Sequence, residues 1–465
     1  MLGDDICLPP CNLHSKSKTV VGVKIRAATG QVHDVDEVCV LVEPKPTEDR
    51  FGFGEVHGVL DNFTVAEQCI KDAFKMLGGE CKGFLAGSTL AASLILNGKI
   101  ITANAGDSAV MVFKRGGDGK FECIFETTPH TVENPGEIRR IEEVDGASIC
   151  TTEQAWRKLN PNEDLGGGFT EAEKTEKRLN GILMPTRGFG DCDVGPGLSY
   201  EAEVVCIEAS LADEVYVVHC TDGITDVLSV EDIAKTLKDV SPKLWTKTIR
   251  DDAFYENSRD DATVVITTVP AQRAERAILS FVADGHGGSK TAEFIQKHFL
   301  ESLQYSVNLA LFDGKLLRYK EFSQVSLEGL SDPFKKTVIE LQQKLFTKLA
   351  KGKIEGDDVD DINTIADHAL TIINHHLLDE RDARVRGEAC SFLSQPSLYR
   401  RTQAHCCFWG YDNSLKRIVG KFLEESNRLQ QSKLKMESDG SGFTESDPLI
   451  SPGDIVGIEL GVINQ

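Results

Sequence analysis

The sequence predicts an α+β fold, and three observations carry that expectation. Runs of β-branched and apolar residues recur up to about residue 285, among them 263–269 and 277–283, parted by Pro270. Asn97-Gly98 stands between the runs 87–96 and 100–112, a strong short hairpin signal. Stretches with apolar residues at helical spacing alternate with these runs. Residues 65–77 are closed by Gly78-Gly79, and 289–304 carry Ala292, Phe294, Ile295, His298, Phe299 and Leu303 on one side.

In chain order, residues 1–18 read as a poorly ordered arm. Two β-rich runs between Thr19 and Val42 and a Pro- and charge-rich loop lead to Phe51–Gly58. This is read as a first hairpin with Asp36 and Glu55 at one end. A helix follows Asn134-Pro135 over 137–144, residues 151–178 form a polar surface excursion, and 214–220 is a strand ending in Thr221-Asp222-Gly223. Ser229-Val230-Glu231-Asp232 opens a helix to Leu237 through a capping box, in which each side chain satisfies the other residue's backbone N–H. Further helices are expected at 332–352, with Asp332 as N-cap and Pro333 at the first position, at 360–378 and at 415–435. A Ser/Asp/Gly-rich linker (436–452) and a short strand (454–462) follow. The expected domains are therefore 19–305, preceded by the arm, and a mainly helical region, 306–465.

Composition narrows the function. The 465 residues carry a net charge of −22, which argues against duplex nucleic acid or an anionic membrane as the main partner. Phe84–Leu96 is too short to span a bilayer, and Met1-Leu2-Gly3-Asp4-Asp5 does not start a secretory signal. Thirteen cysteines without a Cys-x-x-Cys pair read as thiols in a reducing compartment, cytoplasmic or nuclear. Cys7, Cys11 and His14 lack a fourth ligand for zinc.

The chemistry gathers at 258–288. If 263–269 and 277–283 pair as a hairpin turning near residue 272, Asp260 faces Asp284 at one end, followed by Gly285-His286-Gly287-Gly288. Two carboxylates beside a glycine-rich turn suit an oxygen-ligand metal site.

At this point the order of motifs resembles the metal-dependent, type 2C serine/threonine phosphatases. The matching pieces are GSTLAASLIL, ITANAGDSAV, TTPHTVENPGEIRRIEEVDG, LNGILMPTRGFGDCDV, VYVVHCTDGITDVLSVEDI and SRDDATVVI, with FVADGHGGSKTAEF displaced to follow the others. The resemblance implies a four-layer α/β/β/α sandwich, here with a helical C-terminal extension. It also implies two Mn2+ or Mg2+ ions, with room for a third, that activate water against a phosphorylated protein. By resemblance Asp222 and Asp260 bind the first metal, Asp284 bridges both, and the Gly285 carbonyl binds the second. His286 matches the general acid. Asp107 and Asp226 match acids that support a further ion, and Asp36 matches the acid of the first strand.

The departures are specific. Glu55-Val56-His57-Gly58 stands where the family has Asp-Gly-His-Gly, and Gln31 stands where it has the phosphate-binding arginine, leaving Arg26 as a substitute out of register. Ala109 replaces the arginine after Gly-Asp-Ser, and Pro129 replaces the acid before His130. One arrangement completes a single composite site with Asp284; the other makes 20–269 a decayed domain followed by an incomplete second copy. The first is favoured, because the later segment supplies what the earlier one lacks. Two functions follow: a phosphatase for phosphoserine and phosphothreonine, which is preferred, or an inactive pseudophosphatase scaffold. The charged helices from 332 onward could dock a protein partner.

Overall fold

Strands that are apolar on both faces have to be covered on both sides, and the chain does this by facing two sheets together and backing each with helices. The computed structural model describes residues 14–20, 23–30, 47–58, 62–96, 98–161, 169–209, 213–269, 276–328, 330 and 332–378. One antiparallel sheet runs β1 (His14–Val20), β2 (Val23–Gly30), β14 (Ala262–Thr268), β13 (Glu214–Cys220), β7 (Ala109–Arg115) and β8 (Phe121–Glu126). The other runs β12 (Glu203–Glu208), β6 (Lys99–Ala105), β5 (Leu90–Leu96), β15 (Arg276–Ala283) and β3 (Arg50–His57).

The period-two alternation of β13 assigns its layers. Val215 and Val217 enter the core between the sheets, while Tyr216, Val218 and Cys220 pack under the helices. Helices α6 (Val230–Asp239) and α7 (Trp245–Tyr255) cover the first sheet with Ile233, Leu237, Trp245 and Ile249. On the second sheet lie α1 (Phe63–Cys81) and α8 (Lys290–Leu311). There Phe299 stacks edge-on against Phe74, at 5.4 Å between centroids, and against Phe281, at 5.1 Å. Each such pair adds about 0.5–1.5 kcal/mol beyond area burial. The result is the expected α/β/β/α sandwich.

Shorter pieces decorate one end. A three-stranded ribbon joins β11 (Phe189–Gly190), β4 (Gly87–Ser88) and β16 (Gly285–His286). Between β8 and β12 come α2 (Pro135–Glu142), β9 (Ile149–Cys150), α3 (Thr152–Leu159), α4 (Glu171–Thr175) and β10 (Arg178–Leu179); α5 (Asp222–Thr225) follows β13. The excursion over 151–178 is thus partly helical, each helix opened by a threonine capping box at Thr151 or Thr170. The chain divides into two compact units, one ending at Leu311 and one beginning at Phe312. The second contains α9 (Leu317–Ser323), α10 (Asp332–Ala350) and α11 (Gly356–Leu378).

Three expectations are corrected. The runs at 263–269 and 277–283 do not form a hairpin: β14 pairs with β13 and β2, β15 with β5 and β3. They belong to different sheets and meet across the core, where Thr267 Oγ1 donates to Ser280 Oγ at 2.9 Å. Each enters its own sheet as a central strand, with neighbours from elsewhere in the chain on both edges. The first hairpin is likewise β1–β2, with β3 in the other sheet, and the N-terminal arm is shortened because β1 begins at His14. The run 100–112 breaks at Gly106-Asp107-Ser108, where the chain crosses between sheets. β5 and β6 pair as the expected hairpin, with Leu96 opposite Lys99, while Asn97 lies outside the described residues. Asp36, the helix at 415–435, the linker at 436–452 and the strand at 454–462 lie outside the described residues.

Candidate metal centre

Carboxylates collect where strands of both sheets end at one edge. Asp49 immediately precedes β3, Asp107 lies in the crossing from β6 to β7, and Asp222 follows β13 at the start of α5. Asp260 and Asp261 precede β14, and Asp284 follows β15. Ligand oxygens of Asp107, Asp222 and Asp284 lie within 4.8 Å of one another.

Hydrogen bonds fix the surrounding loops. Thr221 Oγ1 donates to Asp49 Oδ2 at 3.1 Å and accepts from the Thr263 amide at 2.9 Å. The Glu48 amide donates to Asp261 Oδ2 at 2.6 Å, and Glu48 Oε2 accepts from the Gly288 amide at 2.9 Å. This clip joins the loop before β3 to the turn after β15. Gly285 is needed there, because a Cβ would come within 2.5 Å of the Glu48 carbonyl oxygen.

The acids hold protons unusually firmly. Burial, then the charge of Asp222, pushes Asp107 up to about 7. Burial raises Asp222 to about 6 against the Asp284 hydrogen bond, with Asp260 and Asp226 adding repulsion. Asp284 and Asp49 are raised well above the ordinary carboxylate range, first by burial and then by Asp222 and Asp261 respectively. Burial followed by Asp260 raises Asp226.

Oδ1 of Asp49, of Asp222 and of Asp261 is buried without a hydrogen-bond partner among the described residues. Such an oxygen costs roughly 1–3 kcal/mol, more when charged. Hard divalent cations bound through oxygen, such as Mg2+ or Mn2+, would relieve both the unmet oxygens and the repulsion. Asp107, Asp222 and Asp284 could hold such ions, with Asp49 and the Gly285 carbonyl beside them. The residues present fit the metal.

His286 is set by the ribbon. It lies opposite Gly87 in β4, whose other neighbour is Gly190 in β11, and Nε2 lies 2.8 Å from Asp191 Oδ2. A Cβ on Gly87 would fall 2.1 Å from both of those atoms. Burial opposes a charge on His286, but the Asp191 hydrogen bond and the charges of Asp191, Asp107 and Asp222 overcome it and raise the imidazole.

Not every residue expected from sequence comes to this edge. Glu55 sits opposite Ile278, far along β3, and pairs with Arg276, so it is not in the cluster. Arg26 lies opposite Ile266, four residues from the site end of β14 at Ala262. At about 3.4 Å per residue its backbone lies roughly 14 Å along the sheet from that end. Asp260 is exposed and its Oδ1 accepts from the Asp261 amide at 2.7 Å; its charge reaches Asp222 and Asp226. Asp226 is exposed at the end of α5. Sequence reasoning missed Asp49, Asp261 and Asp191. The signals were present: Glu48-Asp49 directly precedes a strand, and Asp191 closes a Gly-Phe-Gly turn with φ 50°, a conformation Asp tolerates.

The family model described as Protein phosphatase 2C matches residues 54–157 and 163–262. A "Protein kinase and PP2C-like domain-containing protein" of Oryza sativa subsp. japonica is 29% identical over 199 residues, 42% of this chain and 26% of that protein. "Probable protein phosphatase 2C 17" of Arabidopsis thaliana is 27% identical over 184 residues, 39% of this chain and 55% of the relative. "Protein phosphatase 1B" of Homo sapiens is 26% identical over 232 residues, 46% and 41% of the two chains. The matches thus span about a quarter to a half of these relatives. Among solved structures, a serine-threonine phosphatase 2C from Toxoplasma gondii aligns with a TM-score of 0.36 and 17% identity, over 56% of this chain and 99% of that one. A PstP catalytic domain described in complex with 2 manganese ions aligns with a TM-score of 0.29 and 16% identity, over 53% and 98%. Over residues 54–157 and 163–262, the chain is therefore similar to the protein phosphatase 2C family.

Proposed function

We propose that the protein is a Mn2+- or Mg2+-dependent phosphatase that hydrolyses phosphoserine and phosphothreonine in protein substrates. The observation that carries this reading is the convergence of Asp107, Asp222 and Asp284 within 4.8 Å, with a buried oxygen of Asp222 unpartnered. Two bound ions would supply an acidified water and positive charge opposite the phosphoryl oxygens. Asp107, Asp222 and Asp284 would hold the ions, with Asp226 and Asp260 adding negative charge at the rim. Asp49 fills the first-strand role expected of Asp36. His286, held through Nε2 by Asp191, keeps a proton on its ring and delivers it to the departing alkoxide. No serine or cysteine nucleophile is required.

Metal-dependent hydrolysis of an aryl phosphate and of a phosphothreonine peptide tests this. Asp222→Asn and Asp284→Asn should abolish it, while Glu55→Gln should leave it largely intact. Activity that survives Asp284→Asn but not Glu55→Gln would sink the composite site.

A pseudophosphatase scaffold is the second reading. It is favoured by one observation: Arg50, beside the cluster, is spent on the Thr47 and Asp49 carbonyls and on Glu293. Metal binding without hydrolysis would support it. A reducing compartment, cytoplasmic or nuclear, suits the seven described cysteines, all free thiols. No described helix is long and apolar enough to cross a membrane. In the second unit, exposed Leu317 and Ile339 on α9 and α10 support docking of a protein partner.

A further inference from the structure

We propose that Arg259 is the side chain that holds the phosphoryl group over the metal centre. The inference rests on the phosphatase reading and places the phosphate contact nearer the carboxylates than Arg26, whose backbone lies opposite Ile266.

Among the described residues, the segments that meet at the carboxylates carry four permanent cations, and three are engaged. Arg50 donates to the Thr47 carbonyl at 2.6 Å and to the Asp49 carbonyl at 2.8 Å, and pairs with Glu293 at 2.5 Å. Arg187 pairs with Glu137 at 2.6 Å and donates to the Glu201 carbonyl at 2.8 Å. Lys290 Nζ lies over the Phe84 ring, 4.1 Å from its centroid. Arg259 is exposed and, among the described residues, makes no hydrogen bond or ion pair.

Its position is the informative part. Arg259 directly precedes Asp260, whose charge is felt by both Asp222 and Asp226. The Asp260-Asp261 turn is tied down at its far side by the Glu48 amide. The guanidinium therefore starts from a fixed point at the rim of the cluster and has its full length free to turn inward.

Charge balance calls for such a group. Asp49, Asp107, Asp222, Asp226, Asp260 and Asp284 converge here, and two divalent ions bring four positive charges. The loaded site stays acidic, while a phosphate ester carries close to −2 at neutral pH. His286 is engaged by Asp191. A planar guanidinium can grip two phosphoryl oxygens at once, which an ammonium cannot.

The test uses the full chain loaded with Mn2+ and inorganic phosphate as the probe, with Mn2+ and phosphate affinities measured separately by calorimetry. Arg259→Ala should weaken phosphate binding about tenfold while Mn2+ binding holds or tightens, because a positive charge has left the rim. Arg259→Lys should recover part of the phosphate affinity. Phosphate affinity within twofold of wild type in Arg259→Ala overturns the proposal and leaves the phosphatase reading standing. Parallel loss of both affinities also overturns it, since that marks a collapsed loop. Wild-type protein that binds Mn2+ but no phosphate overturns both readings.

Discussion

His286 Nε2 and Asp191 Oδ2 lie 2.8 Å apart, joined across a ribbon in which the intervening position is Gly87. Asp191 fixes the ring through one nitrogen and, with Asp107 and Asp222, keeps the imidazole protonated to higher pH than its burial alone would allow. A general acid must carry its proton, so activity should fall on the alkaline side as His286 loses it. Asp191→Asn should move that alkaline limb to lower pH and reduce kcat on the order of 10- to 100-fold. The pH–rate profile of kcat checks it; an unmoved limb would separate Asp191 from the acid role.

The carboxylate cluster makes the metal-free protein sensitive to pH in a direction opposite to ordinary acid denaturation. Asp222, at about 6, and Asp107, at about 7, bind protons more tightly folded than unfolded, where 3.8 applies. Their contribution is full below about 4 and is lost as pH rises through 6 to 7. His219, buried and pushed down to about 3, has the opposite slope over part of that range, so the comparison must be with a variant. Metal-free Asp222→Asn should melt higher than metal-free wild type at pH 8, with the gap closing toward pH 4. Excess Mn2+ should raise the wild-type Tm far more than that of the variant. Thermal melts across pH, with and without chelator, measure both.

Much of this arrangement could be read from residues, and the failures share a cause. The capping box at Ser229 and Asp232 and the pairing of β5 with β6 are local, and both are found in place. Periodicity also located β14 and β15. It could not choose their partners, because a strand buried on both faces shows no alternation that names its neighbour. Assuming that adjacent strands pair produced the false hairpin, although Asp260 and Asp284 still reach one edge. Motif spacing points to Glu55, six residues beyond Asp49 on the same strand segment, and nothing local in the sequence favours Asp49 over it. Only the β3–β15 register, with Arg50 opposite Ala283 and His57 opposite Arg276, reveals which end of β3 faces the site.

Glu137 binds the region between β8 and β12 to the ribbon. Its buried carboxylate accepts from Arg187, Arg140 and Thr186, and these hydrogen bonds outweigh burial to lower it to about 2. Its contribution is present above the unfolded value of 4.5 and is lost as pH falls through about 2. Glu137→Gln leaves two half-buried guanidiniums short of a counter-charge and should destabilise by about 3 kcal/mol at pH 7. Urea unfolding at pH 7 and at pH 3 checks it, with the difference from wild type shrinking at the lower pH.

The position of β15 makes the sandwich depend on a segment beyond the family match. β15 lies between β5 and β3, and α8, which follows it, packs on α1. A chain ending at residue 269 would split the second sheet and lose Asp284. Ile278, Leu279, Phe281 and Val282 are buried, each contributing roughly 1.5–3 kcal/mol. With the apolar face of α8 also gone, the loss rivals the entire stability of a typical domain, about 5–15 kcal/mol. That truncation should show no cooperative melt by circular dichroism and bind no Mn2+. A chain ending at residue 311 keeps the whole first unit and should retain both. Cooperative unfolding of the 269 fragment would mean that the sandwich closes without its central strand, and the dependence argued here would fail.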